Sequence, residues 1–368
     1  MSLDRLRQLD PQDREYASRF VELLLAEAGG ANVSDIHVQP LREGLEIAWR
    51  IDGVLLPIGV FPRGHLSDVV ARLKVLANLL TYRSDIPQEG RLRESPTNCE
   101  MRLSTFPTLH GERAVIRTTT VTRHRLQLNE LSLPINQLLA LQQLLAVTSG
   151  ALIIAGPAGS GKTTTAYACL RELNLHPESR RCIISIEDPI ESELSGVAQS
   201  QVNPVAGFDL STGLKSILRQ DPEVILVGEI RDRATAEGVL TAALTGHLVI
   251  TTFHAGSPAE AINRLGEMGL EHYQVRGAIN AIISQRLVRR LCDCAAPIAP
   301  ASTVRTSTGC QQCRGSGYRG RILMAEIHNP KTMDSQSPTL VDQARAAVQA
   351  GLTSEKEIIR VLGYNIMK

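Results

Sequence analysis

Hydrophobic and polar positions in the first third of the chain follow two different periods. Apolar residues recur at helical spacing between Phe20 and Ala28, which predicts an amphipathic helix over residues 15–28, and a second helix is predicted over 66–80. Alternating runs punctuated by turn formers such as Asp52-Gly53 predict short strands. These runs are Asp35–Val38, Glu46–Ile51, Met101–Thr105 and Ala114–Arg117. We therefore predict an α+β domain with an antiparallel sheet over residues 1–120.

A polar stretch over residues 121–133 is predicted to be a linker, and the pattern changes after it. Continuous apolar, β-branched runs now alternate with helical stretches, which is typical of a parallel sheet wrapped by helices. The runs are Ala151–Ala155, Cys182–Ile186, Val224–Val227 and Leu248–Thr252. Helical patterns return at 340–351 and 354–362. The sequence thus predicts an α/β domain over 134–328 and a C-terminal helical tail over 329–368.

Composition and charge exclude several classes of protein. The 368 residues carry 39 Lys+Arg against 38 Asp+Glu, and 1 Trp, 6 Tyr and 5 Phe are the aromatic side chains. A net charge of +1 and few rings for base stacking argue against a dedicated nucleic-acid binder. The most apolar stretch, Leu138–Ala155, is interrupted by polar residues, so it does not supply the ~20 apolar residues of a membrane span. The first thirty residues do not resemble a signal peptide, so we expect a cytoplasmic protein.

A phosphate-binding loop directly follows the Ala151–Ala155 run and precedes a helical pattern. The motif, a Walker A sequence, is Gly156, Pro157, Ala158, Gly159, Ser160, Gly161, Lys162, Thr163 and Thr164. Its backbone N–H groups and the helix N-terminus would surround phosphate oxygens. Lys162 would reach the β- and γ-phosphates, and the Thr163 hydroxyl would bind Mg²⁺. The sequence therefore predicts a nucleotide site with ATP and Mg²⁺.

Acidic and imidazole side chains follow three other predicted strands. Glu187 ends the Cys182–Ile186 run, Glu229 follows Val224–Val227, and His254 follows Leu248–Thr252. Because ligands of such sheets lie beyond the carboxyl ends of the strands, we expect the three side chains near the phosphate loop. Solvated turn residues and a structural histidine are the alternatives.

Seven cysteines are present, and four of them form two closely spaced pairs. Cys292 and Cys294 make a C-x-C pair, and Cys310 and Cys313 make a C-x-x-C pair. Two such pairs suit a tetrahedral Zn²⁺ held by four thiolates, with free thiols as the alternative. The remaining cysteines, Cys99, Cys169 and Cys182, are expected to be small core residues.

The ordered motifs resemble those of the type II/type IV secretion ATPase family, which powers type II secretion and type IV pilus assembly. The matching segments are GPAGSGKTTT (Gly156–Thr165), ISIEDPIE (Ile184–Glu191), LRQDPEVILVGEIRD (Leu218–Asp232) and TTFHAGSPAEAINRL (Thr251–Leu265). The N-terminal segments SDIHVQP (Ser34–Pro40), RIDGVL (Arg50–Leu55) and RLSTFPTLHGERAVIR (Arg102–Arg117) are similar to its PAS-like domain. The resemblance implies a smaller α+β PAS-like domain followed by a RecA-like P-loop domain with a parallel sheet.

The resemblance also implies roles for individual residues. Glu187 and Glu229 would be the catalytic carboxylates, one acting on the attacking water and one on Mg²⁺, with Glu187 favoured as the base. His254 would sense the γ-phosphate. Arg102 and Arg117 would face the nucleotide, with Arg91 as a third candidate and solvated sheet arginines as the alternative.

The family resemblance implies a machine as well as a site. Retraction motors of the family lack the tetracysteine element at 292–313, so this chain resembles an assembly or secretion motor, although the C-x-C pair departs from the usual C-x-x-C. About thirty residues precede SDIHVQP, so we expect no extra adaptor-docking domain. The implied function is a homohexameric Mg²⁺-dependent ATPase at the inner membrane, with a membrane platform protein as a partner and a cytoplasmic adaptor as a further candidate partner. Rival hypotheses are a RecA-like nucleic-acid motor and a nucleotide-binding scaffold without hydrolysis.

Overall fold

The chain forms two units in a computed structural model that describes residues 4–31, 33–92, 101–118, 126–175, 181–299, 302–331, 334–335 and 338–364. The units are Met1–Val121 and Thr122–Lys368. None of the helices in these ranges combines the length and apolarity that crossing a lipid bilayer requires.

An antiparallel sheet forms the centre of the N-terminal unit. Its six strands lie in the order β3-β2-β1-β6-β5-β4. The elements in chain order are α1 (Asp4–Arg7), α2 (Tyr16–Gly29), β1 (Val33–Leu41), β2 (Gly44–Ile51), β3 (Val54–Phe61), α3 (Val69–Leu76), β4 (Gln88–Leu92), β5 (Met101–Thr108) and β6 (Gly111–Thr118). The predicted antiparallel α+β arrangement is present, and its PAS-like identity stays a prediction. Strands β3 and β4 were not among the predicted runs.

One face of this sheet carries the core of the unit. Phe20 and Leu24 on α2 pack in one cluster with Ile36, Ile47 and Ile116 from three strands, and all five are fully buried. Burying such side chains contributes roughly 1.5–3 kcal/mol each, which fixes α2 on the sheet. Because alternate strand residues point to opposite faces, the polar residues between the core positions lie on the other face.

Helix α3 is shorter than the pattern predicts. It covers Val69–Leu76 and not 66–80. The side chain of Asp68 caps its N-terminus by accepting a hydrogen bond from the Ala71 N–H at 2.7 Å. Asn78 adopts a positive φ of 53° just past its end, a conformation that terminates helices. Apolar residues before and after α3 continue the helical spacing in the sequence, but they lie outside the helix.

The C-terminal unit is built on an eight-stranded sheet in the order β16-β15-β12-β7-β11-β10-β8-β9. Its helices are α4 (Ile135–Ala146), α5 (Lys162–Asn174), α6 (Leu210–Ile217), α7 (Arg233–Leu244), α8 (Pro258–Glu267), α9 (His272–Ala278), α10 (Leu340–Gln349) and α11 (Glu355–Leu362). Its strands are β7 (Gly150–Ala155), β8 (Ile183–Glu187), β9 (Ala198–Gln201), β10 (Val224–Val227), β11 (Leu248–Phe253), β12 (Ile279–Leu291), β13 (Ala296–Pro297), β14 (Arg305–Thr306), β15 (Tyr318–Asn329) and β16 (Asp334–Ser335).

The predicted parallel sheet is confirmed, with an antiparallel extension at one edge. Strands β12, β7, β11, β10, β8 and β9 pair in parallel, while β15 and β16 continue the sheet antiparallel to their neighbours. Every residue of β7, β10 and β11 is buried, as expected of central strands covered on both faces. This accounts for their continuous apolar runs in the sequence.

The predicted linker, residues 121–133, lies partly outside the described residues, at 121–125. Its second part is packed, because Leu128 and Leu131 in a short 3₁₀ helix are buried against the C-terminal unit. Cys99 also lies outside the described residues. Cys169 is buried as expected, whereas Cys182 is exposed. The prediction for Cys182 is wrong because this residue precedes the first residue of β8.

The C-terminal helices are attached to β12 and β15 by an apolar cluster and a buried ion network. Glu357 on α11 is fully buried and accepts hydrogen bonds from Arg289 at 2.7 Å and Arg360 at 2.6 Å. Burial raises the pKa of Glu357, but the hydrogen bonds from Arg360 and Arg289 outweigh it and hold the pKa below its ordinary value. The guanidinium of Arg289 also lies 3.9 Å from the ring centroid of Tyr318. One strand therefore holds the end of the chain through a compensated buried charge.

Candidate active site

The phosphate loop joins β7 to α5 and depends on its glycines. Gly159 and Gly161 adopt φ values of 73° and 90°, which L side chains rarely adopt. A Cβ on Gly156 would lie 2.7 Å from the backbone oxygen of Gln285, so this glycine allows β12 to approach the loop. At Gly159 a Cβ would meet nothing within 4 Å, which leaves the loop open where a ligand would approach.

Lys162 is the first residue of α5 and is 8% exposed. Its ammonium donates to the backbone oxygens of Gly156 at 2.9 Å and Pro157 at 3.0 Å, so it lies inside the loop. Burial, together with the nearby charge of Arg286, lowers the pKa of Lys162 to about 8, although Glu229 opposes that shift. The charged lysine and the free N–H groups at the start of α5 make this loop suited to phosphate.

Sheet register brings the predicted catalytic residues to one edge. Val227 of β10 pairs with Ile186 of β8 and with Thr251 of β11, and Phe253 of β11 pairs with Ala155 of β7. The strands therefore end side by side at Glu187, Gly228, His254 and Gly156. The sequence predicted that residues at the ends of neighbouring strands lie at one edge of the sheet, and these strand ends do.

Glu229 and His254 form the open side of this edge. His254 Nε2 lies 3.4 Å from a carboxylate oxygen of Glu229, whose side chain is 19% exposed. Burial and the charge of Lys162 lower the pKa of His254 despite the opposing effect of Glu229, so the imidazole is neutral at pH 7. A neutral imidazole can donate to a phosphate oxygen or accept from water without carrying charge.

Arg231 holds the two acidic strand ends together. Its guanidinium donates to Glu229 and, at 2.7 Å, to Asp188. Arg231 was not among the predicted site residues. A basic residue two positions after the acid of a Walker-B-like strand was the signal for it.

Glu187 occupies a different environment, buried at 3% exposure. It accepts hydrogen bonds from Tyr167, from Ser185 at 2.6 Å and from Gln199 at 3.1 Å. The two predicted catalytic carboxylates therefore differ in exposure, because Glu229 is accessible and Glu187 is enclosed.

Two residues of β12 support the site and were not among the predicted site residues. Gln285 is fully buried and donates to the Ser160 oxygen at 2.9 Å. Arg286 donates to the Gly256 oxygen at 2.7 Å, in the turn that follows His254. Polar residues inside the otherwise apolar Ile279–Leu291 run were the sequence signal for both.

Oxygen ligands suited to Mg²⁺ are present at the same edge. The Thr163 hydroxyl, next to Lys162 at the start of α5, is half-buried, and the carboxylates of Glu187 and Glu229 are the nearby acids. Hydroxyl, carboxylate and phosphate oxygens with water are the set that Mg²⁺ takes. Thr163 and one of the two carboxylates would hold the ion against the nucleotide phosphates, where it would neutralise developing charge.

Arginines form a cross-strand row on the open face of the N-terminal unit. Arg91 pairs with Arg102, Arg102 with Arg117, and Arg117 with Asp35 in the register of adjacent strands. Arg50 pairs with Asp35 on its other side. Arg117 donates to Asp35 at 3.1 Å while its side chain remains 76% exposed. The predicted nucleotide arginines thus share one face, and their role stays a prediction.

The four clustered cysteines come together between β12 and β15. The sulfur atoms of Cys292, Cys294, Cys310 and Cys313 all lie within 4.8 Å of one another. The contacts between Cys292 and Cys310, Cys294 and Cys313, and Cys310 and Cys313 measure 3.9, 3.8 and 3.7 Å. A tetrahedron with Zn–S bonds of about 2.3 Å has edges of about 3.8 Å.

Backbone groups complete this cysteine cluster. The N–H groups of Cys310 and Gly317 donate to the Cys313 sulfur at 3.0 and 3.2 Å. Burial raises the pKa of Cys313, but these donors outweigh it and lower the pKa to about 6. The donor set therefore fits Zn²⁺ despite the C-x-C pair, and a bound ion would tie the loop to the end of β12.

Comparisons with known proteins agree with this fold and site. The family described as Type II/IV secretion system protein matches residues 10–363. The type II secretion system ATPase E of Vibrio cholerae is 36% identical, over 96% of this chain and 76% of that protein. The type IV pilus assembly ATPase PilB of Thermus thermophilus is 36% identical over 97% of this chain, and the chain spans 41% of its length.

Solved structures are similar in fold. The ATPase DotB of Legionella pneumophila has a TM-score of 0.68 at 22% identity, covering 92% of this chain and 94% of that one. The pilus retraction motor PilT with bound ADP has a TM-score of 0.62 at 24% identity, covering 92% and 96%. The RecA-like P-loop fold is thereby confirmed. The chain belongs to the type II/IV secretion system protein family and is an ATP hydrolase.

Proposed function

We propose that the chain is a homohexameric, Mg²⁺-dependent motor that drives pilin or pseudopilin assembly, or type II protein secretion, at the cytoplasmic face of the inner membrane. Related proteins carry the names of secretion ATPases and of a pilus assembly ATPase. The cysteine cluster supports an assembly or secretion motor within that family, as the sequence resemblance implies.

The observation that carries the proposal is the meeting of Lys162, Glu229 and His254 at one edge of a parallel sheet, with Glu187 beside them. This edge has a cation for the phosphates, carboxylates for water and Mg²⁺, and an imidazole for the γ-phosphate. Positioning and charge stabilisation are the main requirements of phosphoryl transfer. Arg102 and Arg117 would add positive charge to the transition state.

Mechanical work would follow from hydrolysis around the hexamer. We propose that the ring transmits domain motion to a membrane platform protein, with or without a cytoplasmic adaptor. Light scattering with and without a non-hydrolysable ATP analogue would test the hexamer, because a motor of this kind should assemble into a six-chain particle. A chain that stays monomeric with bound nucleotide would contradict this part of the proposal.

The catalytic part is tested by substituting the phosphate-loop lysine. Lys162→Ala and Glu229→Gln should each lower steady-state ATP hydrolysis at least a hundredfold, because each removes a charge that faces the reacting phosphates. The matched control is Lys215→Ala, which changes an exposed lysine on α6 and should leave the rate unchanged. Phosphate release is the measurement.

Three outcomes would contradict the proposal. Wild-type rates in Lys162→Ala would remove the loop from catalysis. Tight ATP binding without phosphate release in the wild-type chain would indicate a nucleotide-binding scaffold. Strong stimulation by DNA or RNA would indicate a nucleic-acid motor, which the near-neutral charge of the chain argues against.

A further inference from the structure

The buried carboxylate of Glu187 is held by donors from three different elements. Tyr167 of α5 donates to Oε2, whereas Ser185 of β8 and Gln199 of β9 donate to Oε1 at 2.6 and 3.1 Å. A carboxylate has about four acceptor positions, so donors within the described part of the chain fill three and leave one on Oε2.

Tyr167 is the donor that connects Glu187 to the helix of the phosphate loop. It lies five residues after Lys162 on the same helix, and its ring is fully buried. Its oxygen also accepts the N–H of Glu191 at 3.2 Å, in the segment after β8. Burial, and the charge of Glu187, raise the pKa of Tyr167 well above its ordinary value, so the phenol keeps its proton. The hydroxyl thus links the phosphate-loop helix to the carboxylate.

We propose that Tyr167 is a positioning residue for hydrolysis, which orients Glu187 so that its free Oε2 position meets the attacking water. The inference rests on the proposed catalytic function and adds a residue to it. A carboxylate at the end of a strand can rotate about its side-chain bonds, and a rigid donor on α5 removes that freedom. The N-terminus of α5 also forms part of the phosphate site. One helix therefore positions both the nucleotide and the carboxylate of Glu187.

A double-mutant cycle separates positioning from simple packing. Tyr167→Phe keeps the buried ring and removes the hydroxyl, and it should lower kcat about tenfold while KM and the Kd for ATP stay unchanged. In a Glu187→Gln background the same substitution should cause no further loss, because the carboxylate it positions is already gone. Single-turnover release of labelled phosphate measures the slow variants.

Matched variants keep the result interpretable. Tyr273→Phe removes an exposed hydroxyl of the same unit and should have no effect. Gln199→Leu removes a second donor to Glu187 and should show the same non-additivity, which tests the proposal if Tyr167→Phe does not fold.

Two results would overturn the inference. One is an unchanged kcat in Tyr167→Phe, and the other is an equal loss in the wild-type and Glu187→Gln backgrounds, since a packing role is indifferent to the carboxylate. Failure of the proposed function looks different, because the wild-type chain itself would then release no phosphate.

Discussion

Lys162 shows how one residue of a short motif acquires its properties from its surroundings. The sequence predicts its place in the phosphate loop. The low exposure of its side chain and its proximity to Arg286 come from tertiary packing, and together they lower its pKa to about 8. An ordinary lysine would remain charged at any pH relevant to the cell.

This pKa predicts a pH dependence of nucleotide affinity. Below pH 8 the free protein carries a charged Lys162, and above pH 8 it loses that proton, so binding of ATP then requires proton uptake. We expect the Kd for ATP to rise above pH 8, by at most about tenfold per pH unit. Titration with a fluorescent nucleotide from pH 7 to pH 9.5 measures the effect.

The Lys162→Ala variant is the control for this titration. Its weaker binding should vary little over the same range, because the titrating group is absent and the nucleotide phosphates have already lost their protons. A Kd of the wild-type chain that stays constant to pH 9.5 would show that Lys162 keeps an ordinary pKa.

Strand β12 is the element that connects the separate features of the C-terminal unit. It contacts the phosphate loop through Gln285, holds Glu357 of the C-terminal helix through Arg289, and is followed directly by Cys292. This strand was not among the predicted runs, because its polar residues interrupt the apolar pattern. Gln285, Arg286 and Arg289 each have a partner in another element, which only the folded chain supplies.

The cysteine cluster at the end of β12 predicts a bound metal. The protein should contain about one zinc per chain, and Cys310→Ser should lose it, because three thiolates hold the ion less tightly than four. Cys182→Ser, which changes an exposed cysteine outside the cluster, should retain the metal. Elemental analysis of the purified chain gives the content.

Thiol reactivity separates zinc from the alternative of free thiols. Thiolates bound to zinc should react slowly with a thiol reagent until a chelator is added. Fast reaction of the four cluster thiols, in addition to the exposed Cys182, in metal-free native protein would establish the alternative.

At the scale of the whole molecule, the proposal makes hydrolysis in the C-terminal unit depend on arginines of the N-terminal unit. Arg117 is exposed, and it pairs with Asp35, a buried carboxylate that Arg50 also faces at 3.6 Å. Because Arg50 stays beside Asp35, Arg117 can exchange this contact for a phosphate without leaving the carboxylate unpaired. Arg102 lies beside it in the register of β5 and β6.

Arg117→Ala and Arg102→Ala should each lower kcat at least tenfold, because positive charge is removed from the developing phosphoryl transition state. Arg42→Ala, at an exposed turn of the same unit, should change little. Steady-state hydrolysis compares the three variants. If the hydrolysis rates of both the Arg102 and the Arg117 variants stay within twofold of wild type, these arginines are solvated sheet residues with no catalytic role.

Much of the fold and site follows from local signals in the sequence. The strand–loop–helix around Gly156–Thr164 is readable because its glycines and lysine are required at fixed spacing by backbone geometry and phosphate charge. Buried central strands are readable because both faces must be apolar. The ends of those strands then indicate where Glu187, Glu229 and His254 belong.

Tertiary structure decided what depends on residues distant in the chain. Glu187 and Glu229 look equivalent in the sequence, yet one is enclosed by Tyr167, Ser185 and Gln199 while the other is open beside His254. The order of strands decides which donors surround each carboxylate. The hydrogen bonds and the burial of each carboxylate are set by these neighbouring residues. The sequence therefore determined which groups the chain carries for hydrolysis. Only the folded sheet determined the surroundings of each group.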